Sequence, residues 1–297
     1  MQKFTVHQFN QRFPDEETCL DTIKDAIYPN GITCRKCGFV TKHHRLGARK
    51  AYSCQECGTH VYPLAGTIFE KSSTSLKSWF YAMYLMASTR TGISAKQLER
   101  ELGVTYKTAW RMFAQIRKLM AEDIDPFAGP VEADETYVGG KYPGKRGRGA
   151  AHKTIVQGIV ERKGQILATV VPDVKGATLI PNIEAHVLPG ALVFTDELAS
   201  YNKLGGKGYQ HKRVHHAARV YVRGDAHTNT IEGFWSLVKR GIDGVNHQVG
   251  SNKLQGYVDS YSFRWNHRDD ERPMFQSIAD RVIQVRDGQH GDYAPIG

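Results

Sequence analysis

No stretch of this 297-residue chain approaches the roughly 20 consecutive apolar residues that a helix needs to span a bilayer. The opening MQKFTVHQFNQRF also lacks an apolar signal core, so a cytoplasmic protein is expected. Cysteine is scarce. Of five, four fall in the pairs Cys34-x2-Cys37 and Cys54-x2-Cys57, and Cys19 is alone. In a reducing compartment that pattern favours metal over disulfides. Cys19, within the helical-looking DEETCLDTIKDAI, reads as a small buried apolar residue. Internal repeats and low-complexity blocks are missing too. Acids are outnumbered, 30 against 40 lysines and arginines, and the resulting net charge of +10 favours a polyanionic partner.

What is present separates into segments. Residues 1–30 read as one short helix with Pro14, Asp15 and Glu16 at its start. Residues 31–70 hold the cysteine pairs, residues 74–122 read as helices, and residues 131–280 alternate strand and helix signals. The stretch 286–297 is a polar tail. With 40% hydrophobic residues, the chain has enough apolar material for a catalytic domain plus small binding modules.

Each cysteine pair is followed at once by a glycine, Gly38 and Gly58, which suits knuckle turns whose amides face thiolate sulfur. Two knuckles joined by a hairpin present four soft ligands, so Cys34, Cys37, Cys54 and Cys57 are expected to form a zinc ribbon holding structural Zn²⁺. His43 and His44 could compete as ligands, but four cysteines already fill a tetrahedral site. The loop between the pairs carries Lys42, Arg45, Arg49 and Lys50, a basic finger able to lie on phosphates.

Further on, ISAKQLERELGVTYKTAWRMFAQIRKLM has the pattern of a helix-turn-helix. Ser94 can cap the first helix, Gly103 supplies the turn, and Thr105 opens a second helix with Trp110, Phe113, Ile116 and Leu119 inward. That places Thr105, Tyr106, Lys107 and Arg111 where base edges or phosphates of duplex DNA would be met. A plain three-helix packing unit would give the same pattern.

In the last large segment, Val131–Val138 reads as a strand carrying Asp134, followed by strands near 153–161 and 165–172 and a helix near 177–187. A strand then ends on Asp196, another lies near 209–215, and a helix begins around Asn229, the expected cap. This order implies a ribonuclease H-like α/β layout. In it Asp134, Asp196 and Glu232 converge, and three carboxylates suit a pair of Mg²⁺ (or Mn²⁺) ions acting on a phosphodiester. Lys239 lies nearly two helical turns after Glu232, on the same face, and can hold a phosphate. Trp235 is expected nearer DNA or a partner than the core.

The motifs VEADETYVGGK, VFTDELASY, HTNTIEGFWSLVKRG and YVDSYSFRWNHR resemble those of bacterial Asp-Asp-Glu insertion-sequence transposases, nearest the ISXO-type group with an N-terminal zinc ribbon. The resemblance covers nearly the whole chain. It implies binding to terminal inverted repeats, two-metal cleavage, and attack of the freed 3′-hydroxyl on target DNA. It makes Asp134, Asp196 and Glu232 metal ligands and Lys239 a DNA contact. Because two ends must join one target, a homodimer or larger assembly on DNA is expected.

Neighbouring residues are read more plainly. Strand alternation puts Glu132 on the face of Asp134 and Glu135 on the other, and both, with Glu197, are expected to be solvated surface carboxylates. Asp225 and His227 are candidates for assisting a water or phosphate. Lys141, Lys145, Arg146, Arg148 and Lys153 suggest a DNA-clamping loop. Lys212, Arg213, His215, His216, Arg219 and Arg223 suggest a second basic wall.

Overall fold

The chain divides into two units. A computed structural model describes residues 4–139, 153–214 and 228–286. Among these, no helix is long and apolar enough to cross a membrane.

The first unit opens with α1 (Val6–Arg12) and α2 (Glu16–Ile27), two helices where one was expected. The break has a local cause. Pro14 cannot continue a helix, and Asp15 caps α2 by accepting the Thr18 amide at 2.8 Å. Strands β1 (His43–Arg45), β2 (Tyr52–Cys54) and β3 (His60–Val61) form an antiparallel ribbon. Helix α3 (Leu76–Ser88) follows, its first turn capped by Ser75. Then come α4 (Ala95–Leu102) and α5 (Tyr106–Leu119). Gly103 joins these two with φ of +63°, and its amide closes back on Glu99 at 3.0 Å, a left-handed helix stop that glycine adopts without strain.

The second unit carries the sheet: β4 (Val131–Val138), β5 (Thr154–Glu161), β6 (Ile166–Val171), β7 (Leu192–Thr195) and β8 (Gln210–Arg213). Helix α6 (Gly176–His186) separates β6 from β7. After β8 come α7 (Asn229–Gly241) and α8 (Leu254–Asn266). The strand order is β6-β5-β4-β7-β8. Strands β4, β5 and β6 are antiparallel neighbours, while β7 runs parallel to β4 and β8 parallel to β7. This mixed α/β sheet has the order expected of the ribonuclease H-like layout.

Both faces of the sheet are covered. Val131, Ala133, Ile159 and Val193 pack with Leu179, Ile180 and Ile183 of α6 and with Tyr201. Val138, Val156, Val160 and Ile166 pack with Ile231, Phe234, Trp235 and Val238 of α7 and with Val258 and Tyr261 of α8. A central strand with two covered faces has no solvated side.

The last helix, α9 (Met274–Arg286), belongs to the first unit, whereas the sequence expectation ran the α/β segment to 280. Phe275 explains the difference: its ring lies 5.5 Å from Phe13 and 6.1 Å from both Phe9 and Phe80. All four rings are buried, and aromatic contacts of this kind add about 0.5–1.5 kcal/mol per pair beyond area burial.

Candidate active site

Strand β4 is where the chain changes direction across the sheet: β5 and β6 build outward on one side, β7 and β8 on the other. Ligand sites in such sheets form at the carboxyl ends of the strands, at that switch. The β4–β7 ladder runs only from Val131↔Val193 to Ala133↔Thr195. The next residue on each strand is an aspartate, Asp134 and Asp196, so the strands part where the acids stand. Asp134, Glu135 and Asp196 each offer a carboxylate oxygen, and these oxygens lie within 4.8 Å of one another. An all-oxygen donor set of that span fits Mg²⁺ or Mn²⁺, which take carboxylates at about 2.0–2.1 Å and keep several waters.

Each acid is held by its own partners. Trp235 donates its indole N–H to Asp134 Oδ2 at 3.0 Å, and Asp196 Oδ1 accepts the Leu198 amide at 2.8 Å. Burial pushes the Asp134 carboxyl up to about 7, and the negative charges of Glu135 and Asp196 add to the shift. Tyr201 is buried and donates its hydroxyl to Glu135 Oε2 at 3.3 Å. Burial, then the charges of Glu135, Asp134 and Asp196, hold that phenol well above its ordinary value, so it stays a donor.

An open groove of about 460 Å³ is lined by Asp134, Glu135, Thr136, Glu232, Trp235 and Ser236, with Lys239 and Arg240 at its cationic end. Glu232 and Lys239 are therefore on the expected shared face of α7. Glu232 is exposed, takes a 3.0 Å hydrogen bond from Thr228 Oγ1, and stands outside the tight Asp134–Glu135–Asp196 cluster.

Several sequence expectations are corrected here. Glu132 is fully buried, not solvated. It accepts the amides of Thr230 at 2.9 Å and Ile231 at 3.1 Å, and pairs with Arg162 Nε at 3.0 Å. This acid from β4, not Asn229, caps α7; Thr228 occupies the cap position and its side chain bonds no helix amide. Glu135 is buried too, at 8% exposure. Trp235, expected toward DNA or a partner, is 4% exposed and lies over Gly158, the residue opposite Asp134 in the β4–β5 ladder.

In the ribbon, Sγ of Cys34 is 3.6 Å from that of Cys57, and Sγ of Cys37 is 4.0 Å from that of Cys54. A tetrahedron with Zn–S bonds of about 2.3 Å has edges of roughly 3.8 Å, so the four thiols fit Zn²⁺. Gly38 and Gly58 take the positive φ of the knuckles. The hydroxyl and amide of Thr59 bring the Cys57 thiol down to about 6 and the Thr41 hydroxyl lowers Cys54, favouring the thiolates that zinc binds at those two positions, while the hydrogen bond with Cys57 raises Cys37 to about 12. His43 turns its Nδ1 to the Thr41 carbonyl at 2.9 Å and is not part of the cluster. Cys19 is fully buried.

Thr105, just before α5, and Tyr106, Lys107 and Arg111 on it are all exposed, while Phe113, Ile116 and Leu119 are buried and Trp110, expected inward with them, is half-buried. Thr105 Oγ1 accepts the Thr108 amide at 3.3 Å, which occupies it as a helix cap. Lys145, Arg146, Arg148 and Lys141 lie outside the described residues, as do His215, His216, Arg219, Arg223, Asp225 and His227.

Two family models match the chain. An ISXO2-like transposase domain covers residues 126–266, and a transposase zinc-ribbon domain covers residues 14–60. An uncharacterized transposase-like protein of Haemophilus influenzae is 30% identical over 105 residues, 35% of this chain and 84% of that protein. An uncharacterized protein in transposable element ISH50 of Halobacterium salinarum is 27% identical over 85% of this chain and 91% of its own length. The Mos1 transposase paired-end complex with left transposon end is matched at TM-score 0.31 and 10% identity, over 93% of this chain and 97% of that one, too low a score for the likeness to bear on fold.

Proposed function

The chain belongs to the ISXO2-like transposase family, and from that premise we propose that it cuts DNA at the terminal inverted repeats of its element and joins the freed 3′-hydroxyl to target DNA. The observation that carries the reading is the meeting of Asp134 and Asp196 where β4 and β7 part, in a carboxylate cluster whose first aspartate shares a groove with Glu232 and Lys239.

In this reading Asp134, Asp196 and Glu232 are the ligands of divalent metal. When bound there, Mg²⁺ or Mn²⁺ supplies activation of the attacking water or 3′-hydroxyl and stabilisation of the leaving 3′-oxygen. The chain's own residues do the rest. Trp235 fixes the carboxylate of Asp134, and Glu132 anchors the first turn of α7 and thereby the position of Glu232. Lys239, exposed on the groove, binds a phosphate of the strand being cut. No covalent protein–DNA adduct is required.

Sequence recognition is assigned to the helix-turn-helix of α4 and α5, with Tyr106, Lys107 and Arg111 toward the duplex and Thr105 at the helix start. The ribbon, folded around Zn²⁺, adds a basic surface for phosphates. Two ends and one target require at least two copies of the chain on DNA. Phosphate contacts of this kind weaken steeply with salt.

The test is cleavage of DNA carrying the repeats that flank the reading frame, with Mg²⁺ or Mn²⁺. The wild type should cut at the repeat ends, and Asp196→Ala should bind them without cutting. Binding without cutting by both proteins would reduce the chain to a DNA-binding regulator and overturn the proposal.

A further inference from the structure

We propose that Phe39, at the zinc end of the ribbon, is an apolar contact to the bases of the repeat-end duplex, with Arg35 and Lys36 of the same knuckle on the flanking phosphates. This assignment rests on the chain being a binder of DNA ends. It moves the ribbon's contact from the basic finger between the cysteine pairs to one zinc knuckle.

Two of the finger's cations are committed elsewhere. Arg45 pairs with Glu17 and, at 3.2 Å, with Asp21, and Lys50 pairs with Glu16 at 2.7 Å. All three acids stand on α2, so the far end of the β1–β2 hairpin is docked on a helix of its own unit. Tyr52 strengthens the same joint by donating its hydroxyl to Asp21. The His43↔Cys54 pair lies at the opposite end of the ladder, beside the cysteine cluster.

At that zinc end the two knuckles differ in charge. Arg35 and Lys36 lie between Cys34 and Cys37, whereas Gln55 and Glu56 lie between Cys54 and Cys57. All four are exposed, so a polyanion is attracted to the first knuckle and repelled by the second. Phe39 follows the first knuckle and is 59% exposed, more than any other large hydrophobic among the described residues. Its backbone is held on both sides. Gly38 donates its amide to the Cys34 carbonyl at 2.8 Å, Cys34 to the Phe39 carbonyl at 3.1 Å, and Thr41 to the Ile32 carbonyl at 3.3 Å. Thr33 and Val40 form a bridge, and Val40 packs so close over Gly31 that a Cβ there would stand 2.9 Å from Val40 Cγ1.

A single exposed apolar side chain is ordinary. What sets Phe39 apart is a fixed turn that carries two exposed cations within four residues of the ring. An aromatic ring on a fixed backbone has little freedom left to lose when it is covered, and the cations select a polyanion as the cover. Phenylalanine is a residue that DNA-binding proteins place against or between bases.

The test is binding of the full, zinc-loaded chain to labelled duplex carrying the flanking repeats, without added Mg²⁺, over a range of salt. Phe39→Ser should weaken binding about tenfold. It should leave the slope of log affinity against log salt unchanged, because an uncharged ring displaces no counterions. Arg35→Gln and Lys36→Gln should each reduce that slope by about one, and Arg45→Gln should not change it. Each variant should keep its zinc, and DNA-free sedimentation should give Phe39→Ser the mass of wild type. Unchanged affinity in Phe39→Ser, with wild type still selecting the repeats, would overturn the ring contact and leave the end-binding reading standing. Unchanged slopes in both Arg35→Gln and Lys36→Gln would overturn the proposal even if Phe39→Ser failed to hold zinc. A lower DNA-free mass for Phe39→Ser would make the ring an interface between copies of the chain and overturn it as well. Wild type that binds the repeats no better than unrelated duplex would remove the end-binding reading, and the proposal with it.

Discussion

Gly158 is the floor on which Trp235 lies. A Cβ at Gly158 would stand 2.7 Å from Trp235 Cζ2, and Gly158 is also the residue directly opposite Asp134 in the β4–β5 ladder. The missing side chain is what lets the indole lie close enough to the sheet to reach the Asp134 carboxylate.

Gly158→Ala should therefore act at a distance from the groove. Overpacking of this kind costs about 1–3 kcal/mol, and the displaced ring should lose its bond to Asp134. Trp235→Phe keeps an aromatic ring but removes the donor, so it should lose stability by about 1–2 kcal/mol while metal-dependent cleavage falls about tenfold. Urea midpoints and single-turnover cleavage separate the two effects. Unchanged cleavage in Trp235→Phe would show that the indole bond does not position Asp134.

Glu132 joins three elements at once: its own strand, Arg162, and the first amides of α7. Removing one member of a buried, hydrogen-bonded pair costs about 3–5 kcal/mol. Glu132→Ala should approach that loss in chemical denaturation, and Glu132→Gln, which still accepts hydrogen bonds, should lose less. A surface carboxylate would give a change within about 0.5 kcal/mol.

The Asp134 carboxyl, at about 7 against an ordinary 3.8, makes metal-free stability fall with pH. Its folded-state value is raised, so its contribution is complete below about pH 4 and is lost as pH rises through about 7. The loss is on the order of 2–4 kcal/mol. Asp134→Asn cannot ionise, so in EDTA its melting temperature should gain on wild type between pH 5 and pH 8. Saturating Mg²⁺ should restore the wild type at pH 8. Parallel pH profiles in EDTA would contradict the assignment.

Zinc removal should act on the ribbon thiols. The purified chain should carry one Zn²⁺, and Cys57→Ser should lose it. Binding energy at such sites is on the order of 10 kcal/mol or more and is inseparable from folding of the module. A thiol reagent should leave Cys34, Cys37, Cys54 and Cys57 unmodified in the native protein and modify them after strong chelation. Prompt reaction of all four without a chelator would argue against bound metal.

Much of this molecule was legible in its sequence because the signals are local. The strand containing Asp134, the strand leading to Asp196 and the helix carrying Glu232 and Lys239 all announce themselves by apolar patterning around a polar residue. The cysteine knuckles do so by spacing and glycine. What was not legible depends on distant neighbours. Alternation correctly placed Glu132 and Glu135 on opposite faces of β4, yet neither face is solvated, because α6 covers one and α7 with α8 the other. The cap of α7 comes from a residue 98 positions away, which no local capping pattern reveals. Phe275 reads as part of the preceding segment until the rings of Phe9, Phe13 and Phe80 are seen around it. One clue was available: a lone glycine inside TIVQGIVE marks a close approach by another group.

The central claim is that these acids, with bound metal, join a DNA 3′-hydroxyl to a target without a protein–DNA bond. The most direct measurement supplies a pre-cut, labelled repeat end bearing a free 3′-hydroxyl together with a target plasmid and Mg²⁺. The account predicts that wild type joins end to plasmid, that Asp134→Asn, Asp196→Asn and Glu232→Gln do not, and that no label stays covalently on protein. Joining that survives all three substitutions, or label trapped on the protein, would contradict it.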